Sequence, residues 1–146
     1  MTDRSKVEHL VVYGTLLKEV GHPCHSILAE FSEFVAQATF QGILYDLGEY
    51  PGALIRPDRS EIIHGALYRL TDPQRALIKL DAYESHYPHN PSASLFRREA
   101  VEVFQSGAGT LTAWVYLYNR SVAGKPTIRS GSYLNFWRTR PPVHRA

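Results

Sequence analysis

The chain has 146 residues, of which 44% are hydrophobic and 21% are charged. This length and composition are typical of one globular domain, and they exclude a fibrous or an intrinsically disordered protein. The formal net charge is only +2, so charge gives no reason to expect a nucleic-acid partner. We predict a single domain over residues 1–146. Its basic tail, from about residue 129, has four arginines that we interpret as part of a solvated chain end: Arg129, Arg138, Arg140 and Arg145.

The cysteine content and the N-terminus indicate where the protein works. The single cysteine, Cys24, cannot form an intrachain disulfide, which fits a reducing compartment. The N-terminus is polar, and the apolar run from Leu10 to Leu17 is short and interrupted by Gly14. Neither feature matches a signal peptide or a membrane span. We therefore expect a cytoplasmic protein without a membrane partner.

The first third of the chain predicts two strands around a short helix. Apolar and β-branched residues over 8–13 predict a buried strand that stops at Gly14. Apolar residues at helical spacing predict a helix over 26–34. An extended pattern predicts one long strand over 35–47, ended by the Gly- and Pro-containing turn at 48–52.

The rest of the chain predicts more strands and a second helix. Strands are expected over 53–55 and 62–70, separated by a tight turn. Thr71-Asp72-Pro73 is a helix-start pattern, and the helix should run to about Ser85. Two alternating segments, 95–104 and 110–118, predict a hairpin. Because strands outnumber helices and short turns join them, we predict an α+β fold with a mainly antiparallel, curled sheet.

Several common chemistries are not indicated. The sequence has no Walker loop, no GxGxxG or GxSxG motif and no CxxC pair. Histidines lie near Cys24 and after the second helix, but none has the spacing of a zinc site, so we expect no metal. We also interpret Cys24 as an incidental thiol rather than a nucleophile.

Two short motifs favour an enzyme that moves a proton. Tyr13-Gly14-Thr15-Leu16 follows a buried strand, and its glycine would let a substrate approach backbone amides that can bind an anion or an oxyanion. A plain turn is the alternative. Glu84 follows Leu77 and Leu80 on the apolar face of the second helix. Partial burial there would raise its pKa toward the range of a general base. A solvated carboxylate, or one paired with Arg97 or Arg98, is the alternative.

Four tyrosines are candidates for lining a pocket beside Glu84: Tyr83, Tyr87, Tyr116 and Tyr118. We favour Tyr116 as a donor to the substrate. By alternation Trp114, Tyr116 and Tyr118 share one face of their strand. A role for all three in filling the core is equally open.

A set of motifs in fixed order spans most of the chain: Tyr13-Gly14-Thr15-Leu16, Gly42-Ile43-Leu44-Tyr45-Asp46-Leu47-Gly48-Glu49-Tyr50-Pro51, Gly65-Ala66-Leu67-Tyr68, Leu80-Asp81-Ala82-Tyr83-Glu84, Phe96-Arg97 and Ala113-Trp114-Val115-Tyr116-Leu117-Tyr118. In these motifs the chain resembles the gamma-glutamylcyclotransferase-like, or AIG2-like, family. The resemblance implies a small, mainly antiparallel β-barrel with flanking helices, and a pocket where the first turn meets the end of the second helix.

The resemblance also implies a reaction and a site. The family needs no cofactor: the α-amine of a gamma-glutamyl amine or amino acid attacks its own γ-carbonyl and releases 5-oxoproline. By this resemblance Glu84 would be the catalytic general acid/base, and the amides of Gly14, Thr15 and Leu16 would bind the gamma-glutamyl group. From our own interpretation of the residues we add Tyr13 and Tyr116 to the expected substrate-binding residues. A non-catalytic module that binds a small molecule on the same fold is the alternative. The expected partner is a small gamma-glutamyl substrate, and the expected assembly is a monomer or a weak homodimer.

Two departures from the family pattern concern specificity. Ser85-His86 follows Glu84 where many relatives carry a glycine, and Gly131-Ser132-Tyr133 lacks the acid usual at its centre. The identity of the amine half of the substrate therefore stays open.

Overall fold

The computed structural model describes residues 7–14, 16–17, 25–56, 58 and 60–139. Its elements in chain order are β1 (His9–Val12), α1 (His25–Phe31), β2 (Ser32–Gln41), β3 (Ile43–Asp46), β4 (Pro51–Leu54), β5 (Ile62–Leu70), α2 (Pro73–Tyr83), β6 (Phe96–Gln105), β7 (Gly109–Tyr118) and α3 (Tyr133–Thr139). A single 3-10 turn, Pro91–Ala93, precedes β6. None of the helices described is long and apolar enough to cross a membrane.

Five strands form a closed barrel in the order β1-β5-β2-β6-β7. Every neighbouring pair is antiparallel except β1 and β7, whose short parallel contact at Leu10 and Trp114 closes the barrel. The strands β3 and β4 form a separate antiparallel hairpin. The predicted mainly antiparallel barrel with flanking helices is therefore confirmed.

The predicted single strand over 35–47 is wrong, because the chain breaks at Gly42 into β2 and β3. Gly42 donates its N–H to the carbonyl of Glu61 at 3.0 Å, and a Cβ there would lie 2.9 Å from the carbonyl oxygen of Leu54. Only glycine fits this close crossing. The chain leaves the barrel at this point, and β3 begins the hairpin.

Three predicted boundaries also shift. The first helix ends at Phe31 rather than at residue 34, and Ser32 already begins β2. The strand predicted over 53–55 begins at Pro51, inside the predicted turn; a proline is tolerated at the first residue of a strand. The second helix ends at Tyr83.

Helix α2 begins as its sequence predicts. The carboxylate of Asp72 accepts the N–H of Arg75 at 3.3 Å, and Pro73 follows in the first turn. The helix buries Ala76 and Leu80 in the cluster that also contains Leu10 from β1. This packing fixes the C-terminal end of α2 against the barrel.

No helix or strand was predicted after β7, yet α3 lies within the expected tail. Ser132 accepts the N–H of Asn135 at 3.1 Å and so caps α3. Tyr133 is 2% exposed. Gly131 accepts the N–H of His64 at 2.8 Å and has a φ of +70°, which favours glycine. Of the four tail arginines, Arg140 and Arg145 lie outside the described residues.

Candidate active site

A cavity of about 310 Å³ opens where four parts of the molecule meet. Its walls are the end of β1 with the loop that follows, the turn between β3 and β4, the C-terminal end of α2, and the facing parts of β6 and β7. Both motifs that the sequence analysis singled out reach it: Gly14 and Leu16 from the loop, and Glu84 from the helix end. The volume is at the small end for ligand pockets.

The loop after β1 forms the floor of this pocket. Gly14 accepts the N–H of Leu17 at 3.0 Å, which closes a tight turn. A ring nitrogen of His25 lies 2.8 Å from the carbonyl oxygen of Leu16 and ties the loop to α1. Thr15 lies outside the described residues, as do His22 and Cys24.

The β3–β4 hairpin lies directly on this loop. A Cβ at Gly14 would be 2.8 Å from Cγ of Pro51, so the contact requires glycine. The buried Tyr13 hydroxyl accepts the N–H of Ala53 at 3.1 Å and donates to the carbonyl of Tyr116 at 2.6 Å. Tyr13 is among the residues that line the pocket, and its hydroxyl joins the hairpin to β7. Burial, followed by the charge of Glu84, raises the pKa of Tyr13.

Glu84 is the C-terminal cap of α2, immediately before a sharp change of chain direction. The N–H of Ser85 reaches the carbonyl of Ala82 at 3.3 Å, and the N–H of His86 reaches that of Asp81 at 2.9 Å. This pair of bonds is a Schellman motif, which places its left-handed residue directly after the cap. Ser85 has a φ of 55° and fills that position, a backbone conformation that favours glycine.

The Glu84 side chain is partly buried in the pocket wall. Within the described part of the chain it forms neither an ion pair nor a side-chain hydrogen bond. Desolvation by burial raises its pKa from 4.5 to about 8. The carboxyl group is therefore able to take up or release a proton near neutral pH.

Arg98, one of the two arginines considered as partners of Glu84, pairs with Asp81 instead. Its guanidinium makes two hydrogen bonds to that carboxylate, at 2.8 and 3.1 Å, and the side chains of this pair are only 16% and 15% exposed. The guanidinium also lies 4.3 Å from the ring centre of Trp114. Arg97 contacts Glu99 at 3.4 Å. Glu84 is left without a cationic partner among these residues.

Tyr116 lines the pocket, and its hydroxyl donates to Asp81 at 2.6 Å. Burial, followed by the Asp81 charge, raises the pKa of Tyr116. The phenol proton is therefore engaged with Asp81 in this structure. A role toward substrate would use the ring, the free lone pair of the oxygen, or a rearranged hydroxyl.

Of the other tyrosine candidates, one lines the pocket and two do not. Tyr83 lines the pocket, whereas Tyr87 is 47% exposed and does not. Tyr118 packs behind the wall, 5.5 Å from Phe96 between ring centres. Sequence reasoning did not single out Glu49 and Tyr50, which line the pocket from the hairpin turn. Their only signal was their place in a family motif, because nothing local shows where a turn will dock.

The comparisons with known proteins agree with this architecture. Residues 10–135 match the family described as "Gamma-glutamyl cyclotransferase, AIG2-like". The gamma-glutamylcyclotransferase family protein YtfP of Escherichia coli K12 is 29% identical over 126 residues, which cover 86% of this chain and 96% of YtfP.

Solved structures share the fold. YkqA from Bacillus subtilis superposes with a TM-score of 0.68 at 24% identity over 92% of this chain, which spans 44% of the length of YkqA. An AIG2-like protein from Mus musculus superposes with a TM-score of 0.65 at 24% identity, over 86% of this chain and 87% of the mouse protein. On the profile match over most of its length, this chain belongs to the gamma-glutamyl cyclotransferase, AIG2-like family.

Proposed function

We propose that the protein is a cyclotransferase that converts a gamma-glutamyl amine or amino acid to 5-oxoproline and the free amine. The single observation that carries the proposal is Glu84, a carboxyl group with a pKa of about 8 inside a small pocket beside the Gly14 turn. Family membership supports the same reaction class.

The reaction forms one bond and breaks one. The α-nitrogen of the glutamyl group attacks its own γ-carbonyl carbon, and the bond from that carbon to the leaving nitrogen then breaks. The α-ammonium group must first lose a proton, and the leaving nitrogen must gain one. Glu84 is the proposed acceptor and donor of that proton, a role worth about 10²- to 10⁴-fold in rate.

The Gly14 turn would bind the substrate and its developing charge. Gly14 and Leu16 both line the pocket, and backbone N–H groups there would stabilise the tetrahedral oxyanion. Each well-placed donor is worth roughly 10²- to 10³-fold in rate. Because the attack is intramolecular, the pocket must chiefly hold the glutamyl chain bent. No step requires a cofactor.

The test is release of 5-oxoproline from a panel of gamma-glutamyl amines, gamma-glutamyl amino acids and glutathione. We expect turnover of at least one substrate class, and loss of at least 10²-fold in kcat for Glu84→Gln. The matched control is Glu102→Gln, an exposed carboxylate on β6 some six residues beyond the pocket residue Phe96.

Circular dichroism and a thermal melt of both variants establish that folding is intact. Turnover retained in Glu84→Gln would contradict the mechanism. Saturable binding of panel compounds without 5-oxoproline release would favour the alternative, a non-catalytic binding module on the same fold.

A further inference from the structure

The loop that forms the floor of the pocket is held from outside the pocket by His25. This residue begins α1, and its ring nitrogen Nδ1 lies 2.8 Å from the carbonyl oxygen of Leu16. Leu16 lines the cavity, whereas His25 does not. The imidazole therefore does not reach a substrate in this structure, but it holds a residue that does.

The contact defines which nitrogen of the His25 ring carries a proton. A carbonyl oxygen can only accept a hydrogen bond, so Nδ1 must be the donor. In the neutral ring the lone pair then lies on Nε2. A ring protonated on both nitrogens would make the same bond, so the contact is available to either charge state of the imidazole.

The ring of His25 is packed against the barrel, which fixes its direction. It meets Tyr68 edge to face, with 6.2 Å between ring centres and 68° between ring planes. Tyr68 lies on β5 between Leu10 of β1 and Phe34 of β2, and its ring lies 5.7 Å from that of Phe34. Tyr68 and Leu16 belong to the same buried cluster. The imidazole therefore links the loop to a fixed position on the barrel.

One peptide group of the loop is bonded at both ends. The peptide between Leu16 and Leu17 has its carbonyl bonded to His25, and its N–H bonded to the carbonyl of Gly14 at 3.0 Å. Because a peptide group is planar, these two bonds fix its orientation. The side chain of Leu16 is buried, which leaves the backbone of that residue little freedom. The direction of the Leu16 N–H, which donates to no described residue, is set in this way.

We propose that His25 is a positioning residue for the cyclotransferase reaction: its bond to the Leu16 carbonyl holds the backbone amides of the loop where they bind the glutamyl group and stabilise the oxyanion. This inference rests on the proposed function and adds to it a residue outside the pocket. A misplacement of about 1 Å can cost roughly 10²-fold in rate, so a bond that fixes the loop has a measurable effect on turnover.

Three substitutions separate the hydrogen bond from the bulk of the ring. Asparagine has an amide nitrogen the same number of bonds from the main chain as Nδ1, glutamine has one near the place of Nε2, and alanine has none. We expect His25→Ala and His25→Gln to lower kcat for 5-oxoproline release by roughly tenfold and to raise KM by at least threefold, because the same amides bind the substrate and the oxyanion. His25→Asn should stay within about threefold of the wild type in both constants.

The kinetic assay uses the gamma-glutamyl compound of the panel that the wild type converts fastest. His64→Ala is the matched control, because His64 is exposed on β5 and does not line the pocket. It should leave both constants as in the wild type. A thermal melt of each variant measures the folded fraction. Loss of folded protein lowers kcat alone, whereas misplaced amides also raise KM.

A long-range ¹H–¹⁵N NMR spectrum of histidine-labelled protein measures the protonation of the ring directly, with the His25 signals assigned by their absence in His25→Asn. We expect Nδ1 to carry a proton. A neutral ring protonated only at Nε2 overturns the inference. Equal kinetics in the alanine, glutamine and asparagine variants, or a fall in kcat with KM unchanged, also overturns it.

Each of these contrary results leaves the cyclotransferase function standing. Absence of 5-oxoproline release by the wild type across the whole panel contradicts the proposed function, and the inference with it.

Discussion

Glu84 and Ser85 end α2 in a geometry that aims one carboxylate into the pocket and turns the chain away. This turn requires a left-handed backbone conformation at Ser85, whose φ is 55°. The left-handed conformation costs an L-residue roughly 1–2 kcal/mol, while a glycine loses about 0.5–1 kcal/mol more chain entropy on folding. The conformational free energy that glycine saves is larger than the chain entropy it loses, so glycine is the more stable residue at this position.

We therefore predict that Ser85→Gly raises the free energy of unfolding by about 0.5 kcal/mol, measured by urea denaturation. Ser106→Gly is the control, because Ser106 is exposed and does not have a positive φ. It should lower stability by a few tenths of a kcal/mol or more. A loss of stability in Ser85→Gly as large as that in Ser106→Gly would contradict the proposed backbone strain at Ser85.

At the residue scale, the sequence predicted the position of Glu84 but not its partners. Helical periodicity placed it on the face of Leu77 and Leu80, and that face is buried against the barrel. Whether an arginine would neutralise it could not be decided, because the answer depends on packing between α2 and β6. Arg98 meets Asp81, three residues before Glu84, and only the folded arrangement reveals that choice.

At the scale of elements, Asp81 joins α2 to two strands. It binds Arg98 on β6 and the hydroxyl of Tyr116 on β7. Both contacts are largely shielded from water, so the loss of the carboxylate charge leaves a guanidinium poorly compensated. This network holds the last turn of α2, and through it Glu84, against the barrel.

We predict that Asp81→Asn lowers the free energy of unfolding by roughly 2–4 kcal/mol at pH 7, measured by chemical denaturation. The control is Glu33→Gln, which weakens the exposed 2.9 Å pair between β2 and β5 formed by Glu33 and Arg69. That pair should contribute less than about 1 kcal/mol. Equal losses of unfolding free energy in the two variants would show that shielding the Asp81–Arg98 pair from water adds nothing to stability.

Elements differ in how readily the sequence predicts them. Helix α2 was found from its cap and its apolar face. The break at Gly42 was missed because apolar residues continue on both sides of it, and only the approach of Leu54 requires the glycine. Helix α3 was missed because it lies in the segment after residue 129, whose arginines resemble those of a solvated chain end, while the burial of Tyr133 depends on the barrel.

At the scale of the whole molecule, the pocket is a product of docking rather than of any one segment. The short strands and tight turns predicted the curled, mainly antiparallel sheet. The hairpin turn that brings Glu49 and Tyr50 to the pocket follows from the fit of Pro51 against Gly14, two residues far apart in the chain. Local patterns have no information about such a contact, so the rim of the site could not be predicted.

The same docking gives the pKa of Glu84 its physical cause, since residues from several elements together exclude water from one carboxyl group. A folded-state pKa above the unfolded value means that the folded protein binds the proton more tightly. The stability that this proton provides is complete below pH 4.5 and is lost as pH rises to about 8. In the proposed mechanism the ionised form of this carboxyl group accepts the proton of the α-ammonium group.

The proton affinity of Glu84 can be measured by a pH titration of the carboxyl carbons of ¹³C-labelled glutamate by NMR, with the Glu84 signal assigned by its absence in Glu84→Gln. We expect a titration midpoint of about 8 in the free protein. A midpoint near 4.5, the value of an ordinary glutamate, would contradict a buried proton-transfer role for Glu84.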